Sequence, residues 1–316
     1  MTRVAGARIG RQTGLALVLV LAMLAVLVVL VLEVATDARI NLRRVENSAE
    51  STRLGYLAQG GIEAAKLLIA HDAATSAIDH LGEPWAAPMG PYPVGEDEVS
   101  VRITASDGRL NLNHLVGSDG RVDLQYAAIL RRLYAILGVD PRLVDALQDW
   151  LDVDSVAVGD LGAESAYYER LSPPYRCKNR PLDSVAELLA VRGYDDAMVE
   201  RLAPYVSALP NDMVNGALLN VNTAPPEVLL ALDPQFTPDT VDALVTARPF
   251  ATVEQVMTLA EVRREPDAVR WLSTRSRYFL VTAQARSERA LVRQQALIDR
   301  GTGRELRVLR MGDGSA

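Results

Sequence analysis

The residues best suited to binding a ligand lie in one acidic stretch between positions 147 and 180. Asp152-x-Asp154 places two carboxylates close together, and Glu164 can return to them around Gly159 and Gly162. Ca²⁺ takes six to eight oxygen ligands from carboxylates, backbone carbonyls and water. The acidic side chains of the stretch are Asp149, Asp152, Asp154, Asp160 and Glu164. A hard-cation site is therefore one interpretation of this stretch.

The other interpretation is a solvated acidic loop, and composition alone favours it. The stretch is not an EF-hand, because the fifth, sixth and twelfth positions counted from Asp152 are Val156, Ala157 and Ala163. An acidic loop without a fixed ligand pattern is common on protein surfaces. The residues by themselves leave both interpretations open.

The remaining candidates for chemistry are weak. His71, His80 and His114 are too scattered to predict a zinc or catalytic site, and Cys177 has no suggestive acid or histidine partner. The sequence contains no glycine-rich phosphate loop and no serine nucleophile elbow. We therefore expect a protein that is not an enzyme. The single cysteine also excludes an internal disulfide.

The acidic stretch interrupts an internal repeat. Residues 144 and 180 are 36 positions apart, whereas the matching residues 241 and 248 are 7 apart, so the first copy carries 29 extra residues. In each copy an x-Pro step suits a helix start, and Ser184 and Thr252 are predicted to cap the next helix. The matched segments are 111–113 with 220–222, 140–147 with 237–244, and 180–185 with 248–253. The pattern predicts two related helical bundles.

Strand patterns lie on both sides of this helical region. Residues 98–104 alternate as a half-buried strand, and strand patterns return only at 278–285 and 290–298, with a turn at Ser287-Glu288. The sequence therefore predicts a sheet that is split by a mostly helical block over 122–272. Four prolines in 82–95 predict a surface loop, and 311–316 is predicted to be a frayed tail.

Residues 15–32 form an uncharged apolar run without proline or glycine. As a helix the run spans roughly 27 Å, which is enough for a bilayer core. Arg3, Arg8 and Arg11 precede it, which predicts a cytoplasmic N-terminus and export of the remainder. The helix is expected to continue to about position 71 with an amphipathic pattern. Gly14 and Leu15 resemble the prepilin peptidase site of pilin-like proteins, and a signal peptide and a plain anchor are the alternatives.

Charge and one local motif bear on nucleic acid. The net charge of −7 argues against a phosphate backbone as the main partner. Residues 220–229 resemble the opening of helix-hairpin-helix modules in competence-type DNA receptors. Those modules hold a phosphate on a Gly-Ile-Gly hairpin, whereas this chain has Asp233-Pro234-Gln235-Phe236. We expect no nucleic-acid binding, and a membrane-anchored receptor of the competence type is the alternative function.

Taken together, the chain resembles the minor pseudopilin K family of type II secretion systems (general secretion pathway protein K). The resemblance rests on the Gly14/Leu15 junction and on motifs at 149–154, 162–168, 181–188 and 220–224. It implies Ca²⁺ bound in the insertion, for which Asp152, Asp154 and Glu164 are the candidate ligands. Ser165 departs from the family, which usually has a carboxylate there, and the resemblance thus implies one ligand fewer in this chain.

The resemblance implies an α+β fold in which a pilin-like long N-terminal helix packs on a small antiparallel sheet. A large all-α domain, similar to SAM and helix-hairpin-helix domains, is inserted in that sheet. The predicted parts are a leader at 1–14, a transmembrane helix at 15–35 and the first part of the pilin-like domain at 36–110. The inserted domain follows at 111–272, then the C-terminal strands at 273–310 and the tail at 311–316.

The implied function is that of a tip subunit of the secretion pseudopilus. The expected partners are other minor pseudopilins, the prepilin peptidase and the inner membrane, with the main domain in the periplasm. Pilin-like subunits usually carry Glu at the fifth mature position, which pairs with the N-terminal amine of a preceding subunit. Here that position is Leu19, and no acid occurs before Glu33. A first subunit has no preceding amine to meet, so Leu19 fits the distal end of the fibre; the alternative is that leucine merely makes a better membrane anchor.

Overall fold

The computed structural model describes residues 12–210, 219–260, 271–301 and 306–313. Its longest element is helix α1, Gln12–Thr75, with 64 residues. At 1.5 Å per residue this helix is about 96 Å long. Side chains 15–49 are all exposed, and the run from position 15 is long and apolar enough to cross a membrane by length and composition.

The second half of α1 packs on a sheet. Its buried side chains recur every three or four positions, as expected for one face of a helix: Leu54, Ala58, Ile62, Ala65 and Ile69. Gly61 lies where a Cβ atom would stand 2.9 Å from Val101 Cγ2, so glycine permits the close approach of helix and sheet. The helix is continuous through Gly55, Gly60 and Gly61, because the packing outweighs their low helix propensity.

The sheet has five antiparallel strands in the order β1-β2-β7-β8-β9. The strands are β1 Met89–Val94, β2 Asp97–Ala105, β7 Tyr278–Arg286, β8 Leu291–Asp299 and β9 Arg307–Asp313. Strands β2 and β7 are neighbours although the whole helical block separates them in sequence. The predicted split sheet and the α+β fold are therefore confirmed.

Two predictions about the sheet edges were wrong. The proline-rich segment 82–95 contains edge strand β1, where a proline that lacks an N–H can face solvent, and Pro93 pairs with Glu98. The predicted tail begins inside β9, because Asp313 pairs with Gln294 of β8 and so extends the sheet. Residues 314–316 lie outside the described residues.

The inserted block contains seven helices among the described residues, together with short strands. The helices are α2 Leu124–Ile136, α3 Leu143–Leu151, α4 Ser165–Tyr168, α5 Asp196–Leu202, α6 Pro226–Leu232, α7 Pro238–Ala247 and α8 Val253–Leu259. The prediction of an all-α insertion was wrong in one respect. Two-residue parallel pairs join β3 Leu110–Asn111 to β4 Val206–Ser207, and β5 Leu219–Asn220 to β6 Leu272–Ser273.

The internal repeat has a structural basis. Asn113 Oδ1 accepts the N–H of Leu182 at 2.7 Å, and its Nδ2 donates to the Leu182 carbonyl at 3.0 Å. Asn222 makes the same two bonds to Phe250, at 2.8 and 2.9 Å. Buried amides are costly unless bonded, and each one here fastens the start of its unit to the segment that follows the Arg-Pro step. The two units are therefore built alike.

The predicted helix starts are only partly observed. Pro238 is the first residue of α7, whereas α3 begins at Leu143, two residues after Pro141. Ser184 and Thr252 occupy N-cap positions, but neither side chain makes a capping hydrogen bond. The helix that follows Ser184 is the 3-10 helix Val185–Ala190. There Glu187 accepts the Asp183 N–H at 2.9 Å, so a different side chain satisfies the start of this helix.

Candidate metal centre

The three predicted metal ligands lie together in the structure. One carboxylate oxygen from each of Asp152, Asp154 and Glu164 lies within 4.8 Å of the other two. Asp152 is the C-cap of α3 and Glu164 is the N-cap of α4, so the two helices present their carboxylates to the same point. Asp160 is exposed and does not belong to this group.

Several oxygens of this group are buried without a partner. Asp152 Oδ1, Glu164 Oε1 and Glu164 Oε2 are out of contact with solvent and accept no hydrogen bond. Burying a carboxylate without a hydrogen bond or counter-charge is expensive. Oxygen ligands in this arrangement suit a hard cation such as Ca²⁺. The donor set of Asp152, Asp154 and Glu164 therefore fits such an ion.

The electrostatics of the group point the same way. Burial, with the neighbouring charges of Asp149, Asp152 and Asp154, raises the pKa of Glu164 to about 7. Burial and the charge of Asp154 also raise the pKa of Asp152 above its usual value. Burial is the larger cause of both shifts, and the neighbouring carboxylates add a negative potential to it. The group therefore favours binding of a positive charge, either protons or a metal ion.

Asp149 positions the loop, a role that the sequence analysis did not assign. Its side chain is fully buried on α3, and its carboxylate accepts the N–H of Val158 at 3.2 Å. A Cβ atom at position 162 would lie 2.5 Å from Asp149 Oδ2, so only glycine fits there. Burial raises the pKa of Asp149 to about 6. The Asp149-Trp150-x-Asp152 motif contained this residue, but its spacing alone does not separate an anchor from a ligand.

The segment around Cys177 closes the other side of the loop. Cys177 Sγ donates to the Asp149 carbonyl at 3.1 Å, and its N–H donates to Ser165 Oγ at 3.2 Å. Asn179 Nδ2 donates to the Asp154 carbonyl at 3.0 Å. Burial raises the pKa of the Cys177 thiol to about 12, which disfavours the thiolate. Cys177 and Ser165 therefore hold the loop in place by ordinary hydrogen bonds.

The remaining sequence candidates do not form a site. His114 is buried, and burial lowers its pKa to about 4. None of the three histidines joins a group of metal-ligating side chains among the described residues. At the helix hairpin, Asp233 Oδ1 accepts the N–H of Gln235 at 2.8 Å, and the Asp233 carbonyl accepts the N–H of Phe236 at 3.0 Å. Those amides are directed at Asp233 rather than at a phosphate.

The beginning of α1 includes the predicted processing junction. The helix starts at Gln12, so Gly14 and Leu15 both lie within it. Residues 1–11, which include Arg3, Arg8 and Arg11, lie outside the described residues. Cleavage between Gly14 and Leu15 stays a prediction.

Comparison with known proteins decides the family. A family model described as type II secretion system (T2SS), protein K matches this chain over residues 108–211 and 219–274. Type II secretion system protein K of Aeromonas hydrophila is 31% identical to it over 97% of this chain and 98% of that protein. The chain belongs to the type II secretion system protein K family.

A second relative and a solved structure support the same family assignment. The Pseudomonas aeruginosa protein K is 36% identical over 73% of this chain and 72% of its own length. A chain from the crystal structure of the GspK-GspI-GspJ complex of enterotoxigenic Escherichia coli has the same fold. Its TM-score is 0.74 at 22% identity, over 86% of this chain and 100% of that chain. The predicted minor pseudopilin is confirmed, and the competence-type receptor is not favoured.

Proposed function

We propose that this chain is the subunit that starts and caps the pseudopilus at its tip. The observation that carries the proposal is the absence of any acid between Leu15 and Glu33, combined with a large insertion in the sheet. Membership of the protein K family supports a structural role in secretion rather than catalysis. The likeness to a chain that was solved as part of a GspK-GspI-GspJ complex supports other minor pseudopilins as partners.

Leu19 supports the first position in the fibre. A carboxylate in apolar surroundings is costly unless an opposite charge meets it. A subunit with others behind it and none ahead has no neighbouring amine to pair with such a carboxylate. Leucine at the fifth mature position therefore removes a penalty that only the first subunit would carry.

The inserted domain supports the same position. It enters the sheet between β2 and β7, which are adjacent inner strands, and it has a core of its own. A subunit stacked ahead of this one would have to accommodate that added volume. The distal end is the one place in a fibre where no subunit lies ahead.

For the N-terminus we propose a single inner-membrane span with a cytoplasmic leader. The apolar run of α1 and the basic residues Arg3, Arg8 and Arg11 support this orientation. The prepilin peptidase would cut between Gly14 and Leu15, and Leu15 would then be methylated on its amine. Gly14→Val should block the cut, whereas Thr13→Val serves as the matched control. An uncleaved N-terminal mass in the unaltered protein would contradict the assignment.

For the insertion we propose a structural Ca²⁺ ion held by Asp152, Asp154 and Glu164. The unpartnered oxygens of Asp152 and Glu164 support it. The bound ion would supply positive charge that these carboxylates otherwise lack. Asp149, Cys177 and Asn179 hold the surrounding loop in the shape that brings the ligands together.

Immunogold labelling of extended pseudopili tests the tip position. Label confined to fibre ends is the expected result, and label at regular intervals along the shaft would refute the cap. Leu19→Glu should reduce the number of fibres, because it places an unpaired carboxylate in the membrane, whereas Leu19→Ala should not. Fibre numbers that are unchanged by Leu19→Glu would remove the argument from this position.

A titration of duplex DNA separates the alternative function. Phosphate contacts dominate such binding and make it strongly salt-dependent. We expect no appreciable binding at physiological salt, because Asp233 occupies the place of a phosphate-binding nest. Micromolar affinity with a steep salt dependence would favour the receptor instead.

A further inference from the structure

A second group of three carboxylates lies where the inserted domain joins the pilin-like domain. Oxygens of Asp72, Asp79 and Glu83 lie within 4.8 Å of one another, and all three residues are buried. Asp72 is in the last turn of α1, and the other two follow that helix. We call Asp72, Asp79, Glu83 and Arg300 the junction cluster.

Arg300 supplies the positive charge of the junction cluster. Its Nη1 and Nη2 donate to the two oxygens of Asp79 at 2.7 and 2.6 Å. Its Nη1 lies 3.5 Å from Asp72 Oδ2, which is beyond a well-formed hydrogen bond, and that buried oxygen has no hydrogen-bond partner. The guanidinium thus bonds Asp79 and the Ser276 carbonyl, and it only approaches Asp72.

Glu83 is held by other donors. Its Oε2 accepts the Trp85 Nε1–H at 2.8 Å and the His80 N–H at 2.9 Å. Among the described residues no donor bonds Asp72 in this way, and Asp72 Oδ2 is the buried oxygen of the cluster without a hydrogen-bond partner.

The junction cluster connects the two domains directly. Asp79 Oδ2 accepts the N–H of Ser276 at 2.7 Å, at the entry to β7. The Asp79 carbonyl accepts Asn220 Nδ2 from the second repeat unit at 2.9 Å, and the Asp79 N–H donates to the Thr274 carbonyl at 2.9 Å. Any change in charge at Asp79 therefore acts on the connection between helical and pilin-like parts.

We propose that Asp72 holds one proton in the junction cluster, and that losing this proton to solvent loosens the attachment of the inserted domain. The groups facing Asp72 are Asp79 and Glu83, which favour the protonated form, and Arg300, which opposes it. Asp107 lies near Arg300 and Asp79, and burial raises its pKa to about 7. When Asp72 is protonated, the junction cluster carries one negative charge fewer, and Arg300 remains hydrogen-bonded to Asp79.

Burial and the neighbouring carboxylates raise the pKa of Asp72 to about 7. A carboxyl whose pKa is higher in the folded state holds more protons when folded, so stability falls as pH rises from its unfolded value toward pH 7. The attachment should therefore be tight at pH 5 and weaker at pH 8. A junction that merely needed the Asp72 carboxylate would show the opposite trend.

The test compares the full-length protein with Asp72→Asn in detergent micelles between pH 5 and pH 8.5. Asparagine copies the neutral acid, so the gain in melting temperature of the variant over the unaltered protein should be smallest at pH 5 and should grow up to pH 8.5. At pH 8.5 the variant should melt at least about 3 °C higher. Amide exchange at Asp79 and Ser276, corrected for intrinsic rates, should accelerate with pH in the unaltered protein but not in the variant.

Asp97→Asn is the matched control, because Asp97 is also buried but accepts a hydrogen bond from Arg53 at 3.0 Å. It should lower the melting temperature at every pH tested. The proposal would be overturned if the melting temperature of Asp72→Asn minus that of the unaltered protein were constant or negative across the pH range. A Ca²⁺ titration at pH 8 gives a second way to overturn the proposal. If Ca²⁺ raised the melting temperature of Glu164→Gln but not that of the double variant Glu164→Gln/Asp72→Asn, the junction cluster would hold a metal ion and not a proton.

Discussion

Two clusters of carboxylates, one fully buried and one partly buried, compensate their negative charge differently. We call residues 152–164 the metal loop. It brings Asp152, Asp154 and Glu164 within 4.8 Å of one another, and the junction cluster does the same with Asp72, Asp79 and Glu83. Among the residues that the structure describes, only the junction contains an arginine whose two nitrogens bond a member of the group. In the metal loop, buried oxygens of Asp152 and Glu164 have no partner. A carboxylate group with its own cation is a structural joint, and one without a cation is suited to bind an ion from outside.

Removing the internal cation should have the largest effect. Arg300→Met would leave three buried carboxylates without a counter-charge, which costs about 3–5 kcal/mol of unfolding free energy. Arg53→Met is the control, because its side chain is half exposed at 52%, and we expect about 1 kcal/mol or less. Denaturant unfolding of the full-length protein measures both. Equal losses in the two variants would show that Arg300 is not the cation that holds the junction.

The metal loop should respond to an ion added from outside. Ca²⁺ at ~100 times its dissociation constant should stabilise the folded protein by roughly 2.7 kcal/mol, because it binds only the folded state. Glu164→Gln should remove this gain, whereas Asp72→Asn should keep it. Chelation should make residues 152–164 the first site of protease cleavage. A melting temperature that is indifferent to chelator and Ca²⁺ would contradict the metal assignment.

The affinity of the metal loop for Ca²⁺ should depend on pH. Because the pKa of Glu164 is raised to about 7, protons compete with the ion below that pH. For one coupled proton, the dissociation constant rises about tenfold for each pH unit below pH 7. Calorimetric titrations at pH 5.5, 6.5 and 7.5 measure the slope. An affinity that is constant over this range would mean that Glu164 is not a ligand.

Replacing Lys178, which follows the metal loop in sequence, should have the smallest effect on Ca²⁺ affinity. Lys178 Nζ lies 2.6 Å from Glu187 and 2.8 Å from Asp183, so its charge is already paired away from the loop ligands. Lys178→Gln should cost about 1 kcal/mol of unfolding free energy and change Ca²⁺ affinity by less than about threefold. Denaturation and calorimetry on the same samples test both numbers. A large gain or loss of affinity would show that Lys178 contributes to the metal loop.

The sequence predicted the parts of this molecule that depend on local pattern. The repeat was visible because Asn113 and Asn222 occupy equivalent positions in two similar segments, and each makes the same pair of bonds. The convergence of Asp152, Asp154 and Glu164 was predictable because two glycines let a short loop return. The apolar run at the start of α1 required only length and composition.

The junction cluster could not be predicted in this way. Asp79 and Arg300 are separated by 221 positions, and no periodicity connects them. Their meeting depends on β8 ending beside the segment that follows α1, which only the assembled sheet determines. Strand β1 was missed because its prolines argue against a strand, and an edge position removes that objection. The first failure concerns a pairing between distant segments, and the second concerns a local hairpin whose prolines are tolerated at the sheet edge.

The split between β2 and β7 has a consequence for how the chain reaches its native state. Ala105 pairs with Phe279, so the centre of the sheet cannot form until the entire insertion has been made. Closing so long a loop is entropically costly and slow, whereas the helical units rely mainly on nearby contacts. Gly108 lies against Thr223 of the second unit, and Asp107 accepts the N–H of Tyr278 at 2.6 Å. The folded insertion thus holds the end of β2 close to the start of β7. We therefore expect the inserted domain to fold before the pilin-like domain.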